Sequence, residues 1–396
     1  MRFRLQPTPA QEAVLLGHCS QARFVWNLAV EQHRHWRPGR AGAPGYVEQS
    51  RQLTEARKTF GWLAAGSQTV QQQALRDFAQ ATANFFAGTH RPPTWRKAGV
   101  HESFRIVGQR GRQWDVRRLS RKVGEVWVPK VGWVRFRWSR HVPDEAKSFR
   151  VKRDRAGRWH VCFAVIPPPI DGPGTGAVVG VDRGVAVSAA LSTGELLSVP
   201  GLRETEAKRL LRLQRRLARA KRGSNRRNRV KTAIGRIKAR DTDRRRDWVE
   251  QTSTRLARRF DVIRVEDLKI KNMVRSARET IAAPGRNVRA KAGLNRSIHA
   301  AGWGQLVTRL EHKAPGRVER VDPAYTSQIC HACGHRAAES RESQAAFRCR
   351  ACGHVDHADV NAAKNIAVGR TVTARGALQP SGGAVNREPQ PVLPSG

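Results

Sequence analysis

Acidic residues are scarce in this chain of 396 residues: 32 Asp and Glu stand against 74 Lys and Arg, a net charge of +42. Solubility alone does not call for such an excess, and the partner it points to is a polyanion. Long apolar runs are missing as well. No stretch approaches the roughly 18–20 apolar residues of a membrane span, and the opening MRFRLQPTPAQE lacks the apolar segment of a secretory signal. A cytoplasmic protein with no membrane partner is expected. Cysteine is sparse too. Of the six, Cys19 and Cys162 lie far from each other and from the remaining four. They are expected to be reduced thiols in or near a core, since nothing indicates an oxidising compartment.

The basic residues run through the whole chain instead of one tail, so the polyanion should be long and touched by several domains. Nucleic acid fits this better than a membrane surface. The length allows two or three domains of about 100–200 residues each.

Periodicity divides the chain. Residues 1–9 read as a short strand, with Phe3 and Leu5 on one face and Arg2 and Arg4 on the other, stopped at Pro7. Helical spacing then predicts a helix over 10–37 (Val14, Leu15, Phe24, Val25, Leu28, Ala29) and another over 67–87 (Leu75, Phe78, Ala81, Phe85), with the loop RPGRAGAPG between them. Residues 10–91 are therefore expected to be a helical unit, although 37–66 has no assignable pattern. From 92 to 170 the period becomes 2. Val126, Val128, Val131, Val134, Phe136 and Trp138 alternate with polar or basic neighbours, and 154–157 supplies a hairpin turn. Segments 1–9 and 92–170 are expected to build a small N-terminal β-barrel. Its Trp127, Trp133, Trp138, Arg135 and Arg137 either stack on bases and pair with phosphates or fill the barrel.

A linker, PPPIDGPGTG, covers 167–176, and a different domain is expected from 177. AVVGVDRGV reads as a buried strand with Asp182 at its exit, where a carboxylate is costly unless paired, capped or metal-bound. The basic block that follows shows one apolar stripe on each of two helices, Leu210, Leu213 and Leu217, then Val230, Ile234 and Ile237, with a break at Gly223-Ser224-Asn225. A charged face is usually a solvated one, but few acids offset this one, so it would repel itself without an anionic partner. Arg212, Arg215, Arg216, Arg219, Lys221, Arg222, Arg226 and Arg227 are its candidate phosphate contacts. An amphipathic helix over 248–260 completes the basic helices 203–260, and DVIRVEDLKI gives a strand ending in Glu266. The polar run 271–296 is expected to be a mobile loop or lid, 297–313 a helix, RVERVDP a strand, and 371–396 a disordered tail.

The four remaining cysteines form two C-x-x-C knuckles, Cys330/Cys333 and Cys349/Cys352. Two knuckles complete the tetrahedron that Zn²⁺ prefers, with no open position, so the site would be structural and not catalytic. Disulfides or inert thiols are the alternative, and they fit the spacing less well. Directly after the ribbon, expected over 326–355, Asp356 and Asp359 open the helix-like run VNAAKNIA, which closes the second domain over 356–370. Either could be a plain N-cap. Asp182 and Glu266, also at the ends of apolar runs, change that reading. Acids delivered from separate strands and a helix to one spot make an RNase H-type arrangement, which can hold the Mg²⁺ or Mn²⁺ ions that phosphodiester hydrolysis uses. Asp182 would bridge two ions, with Glu266 and Asp359 each holding one. Asp267 reads as a salt-bridge or cap partner, and Asp356 as ordering the ribbon exit.

The segments FRLQPTPAQE, ARFVWN, GVDRGV, VEDLKIKNM, LNRSI and YTSQICHACG…CRACGHVDHADVNAAKNI resemble those of the TnpB proteins carried by bacterial insertion sequences, over most of 1–366. TnpB proteins are RNA-guided DNA nucleases related to compact type V CRISPR effectors. The resemblance implies a multidomain α/β fold: a wedge-like barrel interrupted by a helical recognition unit, then an RNase H-like RuvC nuclease domain with an inserted zinc ribbon. It implies catalysis by Asp182, Glu266 and Asp359, zinc on Cys330, Cys333, Cys349 and Cys352, and a guide RNA and target double-stranded DNA as partners, with no small-molecule substrate. Cleavage next to a short flanking motif is the expected activity. A compact CRISPR effector, a guide-dependent binder without cleavage and a strand-joining transposase remain open at this point.

Overall fold

The computed structural model describes residues 1–35, 42–278 and 285–369. The expected tail, 371–396, lies outside the described residues, as do parts of the loop after the first helix and of the expected lid. None of the described helices is long and apolar enough to cross a membrane. The chain groups into two compact units, one of Met1–Pro167 with Thr205–Ala239, the other of Pro168–Glu204 with the described residues from Arg240 onward.

The first unit opens with β1 (Arg2–Arg4) and then turns into α1 (Pro9–Arg34). Thr8 and Gln11 set that start by reciprocal capping, Gln11 N to Thr8 Oγ1 at 3.3 Å and Thr8 N to Gln11 Oε1 at 3.1 Å, with Pro9 in the first turn. Next come α2 (Tyr46–Thr59), α3 (Gly61–Ala64) and α4 (Gln68–Phe86). Helix α2 is the segment that no sequence pattern assigned: only Gln49 and Leu53 on it are buried, too few for a visible stripe. Leu15, Val25, Ala29, Leu75 and Phe78 enter the core as expected, whereas Val14, Phe24, Leu28 and Phe85 stay exposed. The strands are β2 (Ser103–Val107), β3 (Val116–Arg118), β4 (Val123–Val128), β5 (Gly132–Arg137), β6 (Ser148–Arg153) and β7 (Trp159–Phe163). They form two antiparallel sheets, β1-β7-β6-β2 and β3-β4-β5, over one core that also takes in α1 and α4. An isolated bridge from Leu5 to Phe136 links the sheets, and Gln6 N donates to Arg135 O at 2.7 Å.

The second unit is built on β8 (Val178–Asp182), β9 (Ala189–Leu191) and β10 (Leu196–Leu197). Next in the chain come α5 (Glu204–Arg219) and α6 (Asn225–Arg259), of which Thr205–Ala239 belongs to the first unit and the part from Arg240 to this one, then β11 (Val262–Glu266), α7 (Ile270–Met273), α8 (Val288–Ala301), α9 (Trp303–Lys313) and β12 (Val318–Val321). The last elements are a short hairpin, β13 (Ala346–Arg348) with β14 (Val355–His357), and α10 (Ala358–Val368). The five-stranded sheet has the order β10-β9-β8-β11-β12, with β8, β11 and β12 parallel and β9 and β10 antiparallel. Strands covered on both faces need continuous apolar runs, which VVGV provides. Gly180 in β8 is required by packing: a Cβ there would lie 2.0 Å from Ala363 O and 2.4 Å from Ala367 N of α10.

Several sequence expectations change here. Residues 205–239 group with the first unit and not with the second, and Gly235 of α6 approaches the Arg155 carbonyl of the β6–β7 turn. The basic block and the helix expected over 248–260 are continuous in the 35-residue α6. Part of the expected lid is helical, since α8 begins at Val288, and the helix expected over 297–313 breaks at Gly302, whose φ of +72° stops α8 and starts α9. The linker is anchored within the second unit: Asp261 accepts hydrogen bonds from Gly174 N at 2.9 Å and Gly176 N at 2.7 Å, and Arg317 holds Ile170 O at 2.5 Å.

Candidate active site and cysteine cluster

Asp182 and Glu266 end neighbouring parallel strands. Val181 pairs with Val265, so the next step of the register sets Glu266 beside Asp182, one strand spacing of about 4.8 Å away. Asp359 arrives in the first turn of α10, which packs on β8 through Gly180, and His357 Nδ1 caps that turn by accepting from Asp359 N at 3.2 Å. Glu266 and Asp359 are buried and Asp182 is partly so. The structure thus brings the three acids of the sequence reading to one place, at the carboxyl ends of β8 and β11.

The electrostatics of that place are unfavourable without a cation. Burial, then the charges of Glu266 and Asp359, push Asp182 up to about 7 from an ordinary 3.8, although Arg341 pulls the other way. Burial also raises Glu266, against a hydrogen bond from Thr326 and the charge of Arg183. Arg341 donates to Asp359 Oδ1 at 2.8 Å. Arg183 is buried, donates to the Glu266 carbonyl, and keeps its Nε without a hydrogen-bond partner. Trp303 Nε1 donates to Gly184 O at 3.0 Å and fixes the turn behind Asp182. An all-carboxylate oxygen set with too little positive charge around it suits a hard divalent cation.

Arg183, Thr326, Arg341 and Trp303 were not found by reading the sequence. A basic residue in so basic a chain carries no signal, and a threonine hydroxyl is recognised only by what it faces. Asp267 is a salt-bridge partner, and Asp356 has local partners within and after β14. Asp267 pairs with Lys269 and with Arg320 at 3.0 Å, while Asp356 bonds Lys364 Nζ at 2.7 Å and His357 N at 2.8 Å at the hairpin exit.

The four knuckle cysteines converge in the second unit. Cys330 and Cys352 sulfurs lie 3.7 Å apart and those of Cys333 and Cys349 3.6 Å, and all four fall within 4.8 Å of one another. A disulfide needs about 2.05 Å. Thiolates held at about 2.3 Å from one tetrahedral zinc sit about 3.8 Å apart, so the cluster has the dimensions of a zinc site. Cys19 and Cys162 are apart from it, and burial pushes the Cys19 thiol up to about 12.

Of the candidate nucleic-acid contacts, Arg212, Arg215, Arg216 and Arg219 of α5 are exposed, as are Lys221, Arg222 and Arg226. Arg227 is not available in the same way. Its Nη1 donates to Leu217 O at 2.6 Å and Ala220 O at 2.9 Å, closing the carboxyl end of α5. In the first unit Trp138 stacks on Phe136, Arg117 lies 4.2 Å over the Trp133 ring, and Trp127 faces Trp133 across β4 and β5. Arg135 and Arg137 are exposed.

A family described as "Probable transposase" matches residues 160–277, a Cas12f1-like TNB domain matches 303–366, and a helix-turn-helix domain matches 1–39. The chain is 35% identical to "Putative RNA-guided DNA endonuclease InsQ" of Escherichia coli (strain K12), covering 99% of this chain and 97% of that protein. The chain belongs to the TnpB family. A second relative, "Putative RNA-guided DNA endonuclease" of Streptomyces pristinaespiralis, is 32% identical over 95% of this chain and 90% of its own length. CRISPR-associated endodeoxyribonuclease Cas12f1 of Sulfoacidibacillus thermotolerans is 52% identical over 52 residues, 13% of this chain and 12% of its own length. The fold is similar to that in a solved Cas12f1–sgRNA–target DNA complex, with a TM-score of 0.56 at 16% identity over 90% of this chain and 82% of that one. This TnpB chain is therefore a multidomain α/β protein related to the Cas12 effectors.

Proposed function

We propose that this TnpB protein is an RNA-guided DNA endonuclease, a RuvC-type enzyme that takes a guide RNA and a target double-stranded DNA as partners. The observation that carries the reading is the meeting of Asp182, Glu266 and Asp359 at one end of a mixed five-stranded sheet, in a chain related over nearly its whole length to proteins named as such nucleases.

Asp182, Glu266 and Asp359 would hold Mg²⁺ or Mn²⁺, with Asp182 shared between two ions. When bound, such ions activate water and stabilise the departing 3′ oxygen of a phosphodiester. The residues of the chain supply the rest. The strand register sets the Asp182–Glu266 spacing, and Arg183 ties the two strand ends together by reaching from one to the carbonyl of the other. Arg341 offsets part of the charge on Asp359. The exposed basic side chains of α5 and early α6, other than Arg227, would track phosphates of the guide, while base pairing reads the target.

In the same reading, β1–β7 close as a wedge-like barrel through the Leu5–Phe136 bridge, with α1–α4 as the recognition unit inserted after β1. The segment 326–355, with its four sulfurs, is a zinc ribbon that stabilises the approach to Asp359. The test is cleavage of a guide-matched duplex in Mg²⁺, with target binding followed at the same salt. Asp182→Ala, Glu266→Ala and Asp359→Ala should each end cutting and leave binding in place. Cutting by Asp182→Ala would sink the mechanism, and a wild type that binds but never cuts would make the protein a guided binder.

A further inference from the structure

Thr326 sits at the start of the cysteine segment and is almost fully buried, at 3% exposure. Its Oγ1 lies 2.9 Å from Glu266 Oε1 and 3.2 Å from the Pro323 carbonyl. A hydroxyl has one proton to give, and the carboxylate is both the nearer and the stronger acceptor. The hydroxyl donor to Glu266 is therefore a side chain 60 positions later in the chain.

What holds Thr326 is the helix that carries Asp359. Asn365 Nδ2 donates to the Thr326 carbonyl at 2.9 Å and to the Ile329 carbonyl at 2.8 Å. One turn earlier on α10, Asn361 Nδ2 donates to the same Ile329 carbonyl at 2.7 Å, and Asn361 Oδ1 accepts from His331 N at 2.9 Å. Ile329 and His331 flank Cys330, so two amides at i and i+4 of one helix grip the first knuckle on both sides of its first cysteine. Both asparagines are fully buried. An amide buried without partners costs on the order of 1–3 kcal/mol, so the segment cannot drift away from α10 cheaply. Tyr325 is held at a φ of +61° directly before Thr326, with Arg336 over its ring at 3.2 Å. These contacts are continuous from Cys330 through the two asparagines to Thr326 and on to Glu266.

We infer that Thr326 is a positioning residue that aims the Glu266 carboxylate at its divalent ion, and that Asn361 and Asn365 make this aim depend on the cysteine knuckle. The inference rests on the metal-binding reading of the acidic site given above. Outer partners of ligating carboxylates commonly contribute about 10–100-fold to metal affinity. Losing the hydroxyl should therefore weaken the ion's hold on the site without dismantling the fold.

The test uses the full chain bound to its guide RNA, with Fe²⁺ and ascorbate as the probe. Dissolved O₂ is the oxidant: reduced at the bound iron, with ascorbate returning Fe³⁺ to Fe²⁺, it cuts the nearby polypeptide, which reports occupancy of the site independently of DNA cleavage. Thr326→Val should raise the Fe²⁺ concentration for half-maximal polypeptide cutting by about tenfold or more. It should raise the Mg²⁺ requirement of DNA cleavage in parallel and leave zinc content and guide binding unchanged. Thr326→Ser, which keeps the hydroxyl, should restore both, and Asn365→Ala should weaken both. A valine variant with wild-type Fe²⁺ dependence, or a serine variant that fails to rescue, overturns the inference. Glu266→Gln is run beside them: if it too leaves polypeptide cutting unchanged, the metal reading of the acidic site has failed as well. If only Glu266→Gln has an effect, the metal reading stands and the role given to Thr326 is gone.

Discussion

Replacing Asp182 with asparagine should make the metal-free protein more stable while ending its cleavage. Asp182 is moved from an ordinary 3.8 to about 7 by burial and by the charges of Glu266 and Asp359. At about 1.4 kcal/mol per tenfold change in proton affinity, holding this carboxylate ionised costs on the order of 4 kcal/mol. Glu266 is raised as well and can hold a proton in place of Asp182, which takes up part of that cost, so about 2 kcal/mol should be recovered by Asp182→Asn, or roughly 4–8 °C in melting temperature. The sign follows from linkage. A folded-state pKa above the unfolded value favours the fold only while the group is protonated, so wild-type stability is complete below about pH 4 and is lost as pH rises through 7. The variant's advantage should be nil near pH 4 and full near pH 8. The assay is thermal unfolding of the guide complex in chelator across that range, repeated in excess Mg²⁺, where the wild type should gain stability by mass action and the variant should gain much less. Equal melting of the two proteins in chelator at about pH 8 would refute the electrostatic account.

Purified protein should carry about one zinc, and Cys349→Ser with Cys352→Ser should release it and destabilise the segment between them and Cys330, as metal analysis and limited proteolysis would report. Gly180→Ala should cost about 3 kcal/mol or more and displace α10, because the added carbon meets backbone atoms that cannot rotate away. Chemical denaturation checks the loss, and weakened cleavage should accompany it. Arg227→Ala should cost about 1 kcal/mol by freeing two carbonyls at the end of α5, with no change in the salt dependence of guide binding. Arg226→Ala should leave stability alone and lower the salt slope by about 1.

The acids and cysteines were legible because each stands where its residue type is unusual: Asp182 and Glu266 close apolar runs, and paired cysteines at a spacing of two have few other uses. Strand β8 was legible as well, since a parallel strand buried on both faces reads as a continuous apolar run. What stayed hidden depends on tertiary facts. Helix α2 buries two residues, too few to write a period into the sequence. Arg227 looks like its neighbours until its guanidinium is found on the carbonyls of α5. The break at Gly223 was visible, but the helical continuity of 225–259 was not, because Asp241, Asp243 and Asp247 interrupt the basic pattern without interrupting the backbone. The glycines and prolines of 167–176 read as slack, whereas Asp261 and Arg317 tie that stretch down.

The packing of α10 on Gly180 also sets a timetable. Asp182 leaves the ribosome about 180 residues ahead of Asp359, an interval of roughly 10–40 s at ordinary rates of synthesis. Throughout it the nascent chain holds at most two of the three acids, and the strand that will receive the helix has its glycine face uncovered. On the metal reading proposed above, a nuclease assembled this way would not cut while it is being made, and a product interrupted before α10 would be inert.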